Sequence, residues 1–148
     1  MQSIDTLLRR CVEMRGSDLH FKADTGRVYV RVDGDLVHLE DVPTFDAEEF
    51  RAAFFDLLRR DQIARFEEEL ELDFAYEIPG VSRFRGNAYQ QRSVVQAAFR
   101  VIPYEIQTME ERQLPEACYD FVTRPRGLVL VTGPAGSGKS TTQAAMID

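Results

Sequence analysis

The apolar side chains of the chain repeat with two different periods, which separate predicted helices from predicted strands. They recur every three or four residues, as on one face of a helix, through residues 3–14, 46–58 and 61–69. They alternate with polar side chains, as in strands with one buried face, through residues 17–22, 27–32, 35–39, 71–78, 82–90 and 94–102. Asp33 before Gly34 predicts a tight turn, and Asp46 with Glu49 predicts a capped helix start. Residues 1–102 are therefore predicted to form one α+β domain whose last three strands are an antiparallel meander.

A different pattern begins at residue 103. Residues 103–114 are rich in polar and charged side chains and are predicted to be a linker, and residues 115–123 are predicted to form a short helix. The apolar run 128–131 predicts a strand buried on both faces, and a helix is expected to open at about Gly138. Residues 115–148 are thus predicted to begin an α/β domain. Because one strand and one helix cannot complete such a domain, we expect the sequence to be part of a longer chain.

Residues 133–140 match the pattern G-x-x-x-x-G-K-[ST], directly after the predicted strand. In such a P-loop the backbone N–H groups and the helix N-terminus converge on phosphates, and the glycines leave room for them. Lys139 is predicted to reach the β- and γ-phosphates of ATP, and Ser140 to ligate Mg²⁺. The residues predicted to bind the nucleotide are Gly133, Pro134, Ala135, Gly136, Ser137, Gly138, Lys139, Ser140 and Thr141. The alternative is a glycine-rich turn with a surface lysine.

ATP hydrolysis requires more than this loop, because acidic residues must hold Mg²⁺ and orient the attacking water. In P-loop enzymes those acids normally come from later strands of the same sheet. None can be assigned before Asp148, so this chain by itself is expected to show negligible turnover, whereas a full-length parent is expected to hydrolyse ATP.

Four arginines are concentrated in one predicted hairpin of an otherwise acidic chain: Arg83, Arg85, Arg92 and Arg100. With a two-residue turn at Arg92 and Ser93, Arg85 lies opposite Arg100. Like charges in that position destabilise a strand pair, which favours an anion bound beside them. The alternative is neutralisation by acids of neighbouring strands, such as Glu71, Asp73 and Glu77. Because Arg92 and Ser93 are not favoured in a type I′ turn, a longer loop with a shifted register also stays open.

Charge and composition narrow the class of protein further. The 148 residues are 44% hydrophobic and carry a formal net charge of −7, which argues against a nucleic-acid partner, and the apolar runs are too short for membrane insertion. Cys11 and Cys118 are predicted to be buried free thiols, compatible with a reducing cytoplasm. His20 and His38 are predicted to have structural or surface roles, and the acidic residues 67–69 are predicted to be a solvated helix end.

Eight short segments of the sequence resemble, in this order, those of the PilT-like twitching-motility retraction ATPases of type IV pili. They are SDLH (17–20), RVDG (31–34), LDF (72–74), RFRGN (83–87), QQR (90–92), FRVIP (99–103), LP (114–115) and PRGLVLVTG (125–133). The segments span nearly the whole chain, and their order and spacing together are specific. The wider group is the type II/IV secretion and pilus ATPase superfamily.

The resemblance implies a PAS-like N-terminal domain, a linker and the first strand, P-loop and helix of a RecA-like ATPase domain. It also implies a homo-hexameric cytoplasmic ring at the inner-membrane base of the pilus, working with the platform protein of the machinery. In the family, arginines of the N-terminal sheet reach the bound nucleotide. Arg85 and Arg100 match these positions best, and both are predicted to serve catalysis together with Lys139, with Arg92 a weaker third candidate.

Alternative functions stay open at this point. Ser93 and Val94 occupy positions where retraction ATPases often have Gly-Ser, which leaves a PilU-like accessory ATPase as an alternative. A pilus assembly ATPase of the same superfamily is another. A standalone PAS-like interaction module with a vestigial P-loop is a different class of protein, and an unrelated P-loop kinase is another.

Overall fold

The computed structural model describes residues 2–104, 106–134 and 137–147. The chain divides into two compact units, Met1–Ile102 and Pro103–Asp148. Each unit is built differently and is described by itself.

The first unit is a six-stranded antiparallel sheet with three helices, in the strand order β3-β2-β1-β6-β5-β4. Along the chain, its elements are α1 (Ile4–Glu13), β1 (Asp18–Lys22), β2 (Arg27–Val32), β3 (Asp35–His38), α2 (Ala47–Phe55), α3 (Arg60–Glu69), β4 (Glu71–Ile78), β5 (Ser82–Gln91) and β6 (Val94–Ile102). The predicted α+β arrangement and the meander of β4, β5 and β6 are confirmed. Strand bounds differ from the prediction by at most one residue.

Helix starts follow the polar residues that the sequence places before each apolar face. The Ser3 side chain caps α1 by accepting a hydrogen bond from the Thr6 amide, at 3.2 Å. The predicted capping box of α2 is confirmed, since the Asp46 carboxylate accepts from the Glu49 amide at 2.8 Å and Glu49 accepts from the Asp46 amide at 3.1 Å. However, α2 ends at Phe55, before the last two leucines of the predicted apolar face.

One face of the sheet holds the core. Alternate side chains of the strands pack there with buried residues of the three helices, and phenylalanine rings join the two layers. Phe21 of β1 stacks on Phe50 of α2 with ring centroids 5.0 Å apart, and Phe54 of α2 contacts Phe74 of β4 at 5.8 Å. The opposite face of the sheet carries polar side chains, and the arginine site described below lies on it.

The hairpin between β5 and β6 has the simple register. Gln91 pairs with Val94 and Arg85 pairs with Arg100, so the predicted adjacency of these two arginines is confirmed. The connection is a two-residue turn in which Arg92 and Ser93 have φ of 50° and 66°. Both residues therefore adopt the left-handed conformation of a type I′ turn, although neither is a residue that favours it.

The described part of the second unit contains two helices, α4 (Glu116–Val122) and α5 (Lys139–Ile147). The predicted strand at 128–131 is wrong in this structure, because no strand is assigned there within the described residues. Leu128 and Leu130 are 83% and 75% exposed, whereas the prediction had them buried on both faces. The physical reason is that an extended segment becomes a strand only when a neighbouring strand takes up its backbone hydrogen bonds.

The predicted linker, residues 103–114, contains an ordered turn where the structure describes it. The Thr108 hydroxyl accepts from the Glu111 amide at 3.2 Å, and the Glu111 carboxylate accepts from the Thr108 amide at 2.9 Å. Cys11 is buried as predicted, and Cys118 is half-buried. Within the described residues, no helix is both long and apolar enough to cross a bilayer, and no cluster of side chains suits a metal ion.

Candidate functional site

The P-loop lies in the second unit, and two of its glycines have positive φ angles that residues with a side chain rarely adopt. Gly133 and Gly138 have φ of 151° and 84°. A Cβ on Gly133 would lie 2.7 Å from the Ser137 hydroxyl oxygen, so a side chain there would be strained at this φ and would displace that hydroxyl. Ala135 and Gly136 lie outside the described residues.

Three of the predicted nucleotide-binding residues contact one another in this loop. The Lys139 ammonium donates to the carbonyl oxygen of Pro134 at 2.6 Å, and the Ser137 hydroxyl donates to the same oxygen at 2.8 Å. Lys139 is also the first residue of α5, whose first turn closes when the Thr142 amide donates to the Gly138 carbonyl at 2.8 Å. The lysine charge, the glycine backbone and the N-terminus of α5 therefore lie at one place, as a phosphate site requires.

Ser140 and Thr141 follow Lys139 on the first turn of α5, and both are exposed. Arg112, from the predicted linker, also approaches the loop, because its Nη2 lies 3.6 Å from where a Cβ on Gly138 would be. Arg112 was not predicted to be a site residue. It lies among other polar and charged residues of the predicted linker, and no motif distinguishes it from them.

The two arginines predicted as catalytic lie in the first unit, on the polar face of the sheet. Arg85 donates through Nη2 to the Asp73 carboxylate at 3.2 Å, and Arg100 donates through Nε to the Asp18 carboxylate at 2.9 Å. Their guanidinium groups border a cavity of about 340 Å³. Its lining residues are Asp18, Asp73, Arg85, Asn87, Ala98 and Arg100. We call this cavity the arginine pocket.

Neutralisation by neighbouring acids, the alternative explanation for the facing arginines, is supported in part. Arg85 pairs with Asp73, and Arg83 pairs with Glu77 at 3.4 Å, as that explanation expected. The arginine side chains nevertheless stay open, with Arg85 66% and Arg100 71% exposed. Arg92 lies at the hairpin tip, seven residues along the chain from Arg85, and does not line the arginine pocket.

Asp18 is the functional candidate that sequence reasoning did not single out. It is 8% exposed, its carboxylate also accepts from the Ser17 hydroxyl at 2.8 Å, and the Arg31 Nε lies 3.7 Å away. Burial raises the pKa of Asp18, but the hydrogen bonds from Arg100 and Ser17 outweigh burial, so its pKa lies below the ordinary value. The alternation of β1 already placed Asp18 on the polar face, but its partners come from distant parts of the sequence.

His20, next on the same face of β1, is half-buried, and its Nε2 atom has no hydrogen-bond partner among the residues that the structure describes. Burial lowers the pKa of His20, with Asp18 opposing that effect. The imidazole is therefore held neutral at pH 7, which is compatible with the predicted structural role.

Residues 67–148 match the family described as Type II/IV secretion system protein, and the chain belongs to that family. The relatives within it include a pilus retraction ATPase. The chain is 45% identical over 145 residues to the type IV pilus retraction ATPase PilT of Pseudomonas aeruginosa, covering 98% of this chain and 42% of the relative. It is 36% identical over 143 residues to the type IV pilus ATPase PilU of the same organism, covering 97% of this chain and 37% of PilU.

A solved structure of the pilus retraction motor PilT with bound ADP has the same fold over 99% of this chain, with a TM-score of 0.84 and 36% sequence identity. The chain covers 43% of that protein. The resemblance to PilT-like sequences is thus confirmed. The chain spans less than half the length of these relatives.

Proposed function

We propose that this chain is the N-terminal part of a motor ATPase that uses ATP to drive type IV pilus retraction, and thereby twitching motility. The observation that carries the proposal is the P-loop, in which Lys139 and the glycine backbone converge at the start of α5. The loop lies in a chain that aligns over 98% of its length with a retraction ATPase, and a solved neighbour contains ADP.

The residues of the loop fit a nucleotide. Gly133 and Gly138 both have positive φ, which glycine adopts without strain, and this backbone leads into the helix, so N–H groups can face phosphate. Lys139 would exchange its carbonyl partner for the β- and γ-phosphates of ATP, and Ser140 would hold Mg²⁺. When bound, Mg²⁺ offsets phosphate charge that Lys139 cannot neutralise alone.

Arg85 and Arg100 are proposed to sense the phosphates of a nucleotide. Among the described residues each arginine has one carboxylate partner, and most of its side chain stays exposed at the arginine pocket. A charge-assisted hydrogen bond contributes roughly 1.5–3 kcal/mol, which is enough to bias a two-state conformational equilibrium by about tenfold or more.

The finer assignments come from the resemblance. They comprise a PAS-like domain at 1–102, a linker at 103–114 and a RecA-like P-loop domain beginning at 115. They also comprise a homo-hexamer and a cytoplasmic place at the inner-membrane base of the pilus, against the platform protein. The higher identity to PilT than to PilU favours retraction, while Ser93 and Val94 keep a PilU-like accessory ATPase as the second candidate.

The nucleotide assignment is tested by calorimetric titration of this chain with Mg-ATP. The unsubstituted chain should bind Mg-ATP. Lys139→Ala should weaken binding by at least tenfold, because the phosphates lose their closest cation. Lys22→Ala, which removes a lysine on β1, is the matched control and should bind as the parent does. Equal affinity in all three proteins would refute the P-loop assignment.

The sensing role is tested in the product of the complete gene by steady-state ATP turnover. Arg85→Ala and Arg100→Ala should each lower turnover, whereas Arg51→Ala, at an exposed ion pair with Glu67, should not. If both pocket variants keep the parental rate, these arginines are surface charges of the sheet and the neutralisation explanation stands.

A further inference from the structure

Asp18 has a position that no other acid of the described chain shares. It is the one charged residue that is buried among the residues the structure describes. In the sheet register its neighbours are Arg100 of β6 on one side and Arg31 of β2 on the other. A buried carboxylate is thus placed between two arginines, only one of which lines the arginine pocket.

The two oxygens of the Asp18 carboxylate have different partners. Oδ1 accepts from Arg100 Nε at 2.9 Å, while Oδ2 accepts from the Ser17 hydroxyl and lies 3.7 Å from Arg31 Nε. Since Arg100 uses Nε for this bond, its two terminal nitrogens have no partner among the described residues and can bind a ligand at the pocket. Asp18 is itself held by the Ser17 bond and by its burial in the sheet.

The formal charges of the pocket cancel, because Arg85 and Arg100 face Asp18 and Asp73. An anion that binds the arginines must therefore share them with these carboxylates. The Asp73 side chain is 52% exposed, so water screens its attraction for Arg85. The Asp18 side chain is only 11% exposed, so its attraction for Arg100 is screened less.

We propose that Asp18 is a positioning residue that orients Arg100 and, as its built-in counter-ion, competes with the incoming phosphate. This inference rests on the proposed function in taking the arginine pocket as a phosphate-sensing site. Orientation and competition have opposite effects on affinity, so two substitutions separate them. Asn keeps the shape of the side chain and an acceptor oxygen for Arg100 but removes the charge. Ala removes the charge and the acceptor oxygen together.

The experiment uses the whole chain with Lys139→Ala as background, so that the P-loop contributes little, and titrates it with inorganic tripolyphosphate. Side-chain Nε–Hε resonances of Arg85 and Arg100 report binding at the pocket by NMR. Asp18→Asn should bind tripolyphosphate about three- to tenfold more tightly than the background protein. Asp18→Ala should bind more weakly than Asp18→Asn, because Arg100 is no longer held.

Two matched controls separate this effect from a general gain of positive charge. Asp73→Asn, at the exposed partner of Arg85, should tighten binding less than Asp18→Asn does. Asp41→Asn, at the surface ion pair with Arg10, should change nothing. A purely structural role for Asp18 would lower the midpoint of thermal unfolding without tightening binding.

A second variant keeps the proposal falsifiable if Asp18→Asn does not fold. Arg31→Gln removes the competing cation from Asp18, so the carboxylate should hold Arg100 more strongly and tripolyphosphate should bind about two- to threefold more weakly. Lys22→Gln on the same strand as Asp18 controls for the lost charge and should have a smaller effect.

The outcomes distinguish this proposal from the proposed function. Unchanged or weaker binding in Asp18→Asn, or equal effects of Arg31→Gln and Lys22→Gln, would overturn the role of Asp18 while leaving the arginine pocket in place. Absence of any arginine shift in the background protein would overturn the phosphate-sensing pocket, and the role of Asp18 with it.

Discussion

Gly86 on β5 is the residue at which a single added methyl group tests the packing of the core most directly. A Cβ at this position would lie 2.2, 2.5 and 2.7 Å from three ring atoms of Phe74, all well inside contact distance. Phe74 has little room to move, because its ring meets Phe99 edge-on at 5.7 Å and Phe54 at 5.8 Å. The glycine of the RFRGN segment is therefore explained by the ring that lies over it.

The sign of the change in the free energy of unfolding caused by Gly86→Ala tests the contact with Phe74. Without a clash, replacing glycine by alanine in a strand stabilises by roughly 0.5–1 kcal/mol, because the unfolded chain loses freedom. Overpacking a core costs roughly 1–3 kcal/mol, since neighbouring rings leave their preferred rotamers. We expect a net destabilisation of about 1–2 kcal/mol, which corresponds to a fall of about 5–10 °C in the midpoint of thermal unfolding.

The assay is thermal and urea unfolding followed by far-ultraviolet circular dichroism, since the chain has no tryptophan. Phe74→Leu supplies the matched partner for a double-mutant cycle with Gly86→Ala. The smaller side chain should make room for the new methyl group, so the double variant should be more stable than the sum of the single changes by about 1 kcal/mol. A Gly86→Ala protein as stable as the parent, or more stable, would refute the close contact.

Two further predictions concern the hairpin tip and the half-buried phenol of Tyr76. Replacing Ser93 by Gly, at φ 66°, should raise stability by about 0.5–1 kcal/mol, and an unchanged unfolding midpoint would argue against the type I′ turn. The Tyr76 hydroxyl donates to the Asp5 carboxylate at 2.6 Å, and burial together with Asp5 raises the pKa of Tyr76 to about 12. The resulting stabilisation is complete below pH 10 and is lost as the pH rises towards 12, so Tyr76→Phe should remove that part of the alkaline unfolding profile. Spectroscopic titration showing Tyr76 ionising near pH 10 would contradict it.

The sequence by itself determined the features that depend on neighbours along the chain. Period-two and helical patterns located the elements of the first unit, because each strand and helix buries one face of its own. The Asp46 capping box and the facing of Arg85 and Arg100 were predictable for the same reason: a cap spans three residues, and a two-residue turn sets the register of a hairpin.

Only the tertiary structure decided which distant residues meet. Asp18 and Arg100 are 82 residues apart, and their ion pair exists because β1 lies beside β6 in the sheet, an order that no local pattern specifies. The close packing of the Phe74 ring on Gly86 likewise depends on Phe54 of α2 and Phe99 of β6, which contact that ring. The run 128–131 shows the converse, since its apolar residues suit a strand but no partner strand lies beside it in the described chain. A strand is a property of a pair, because its backbone hydrogen bonds are made by its neighbour and not by its own sequence.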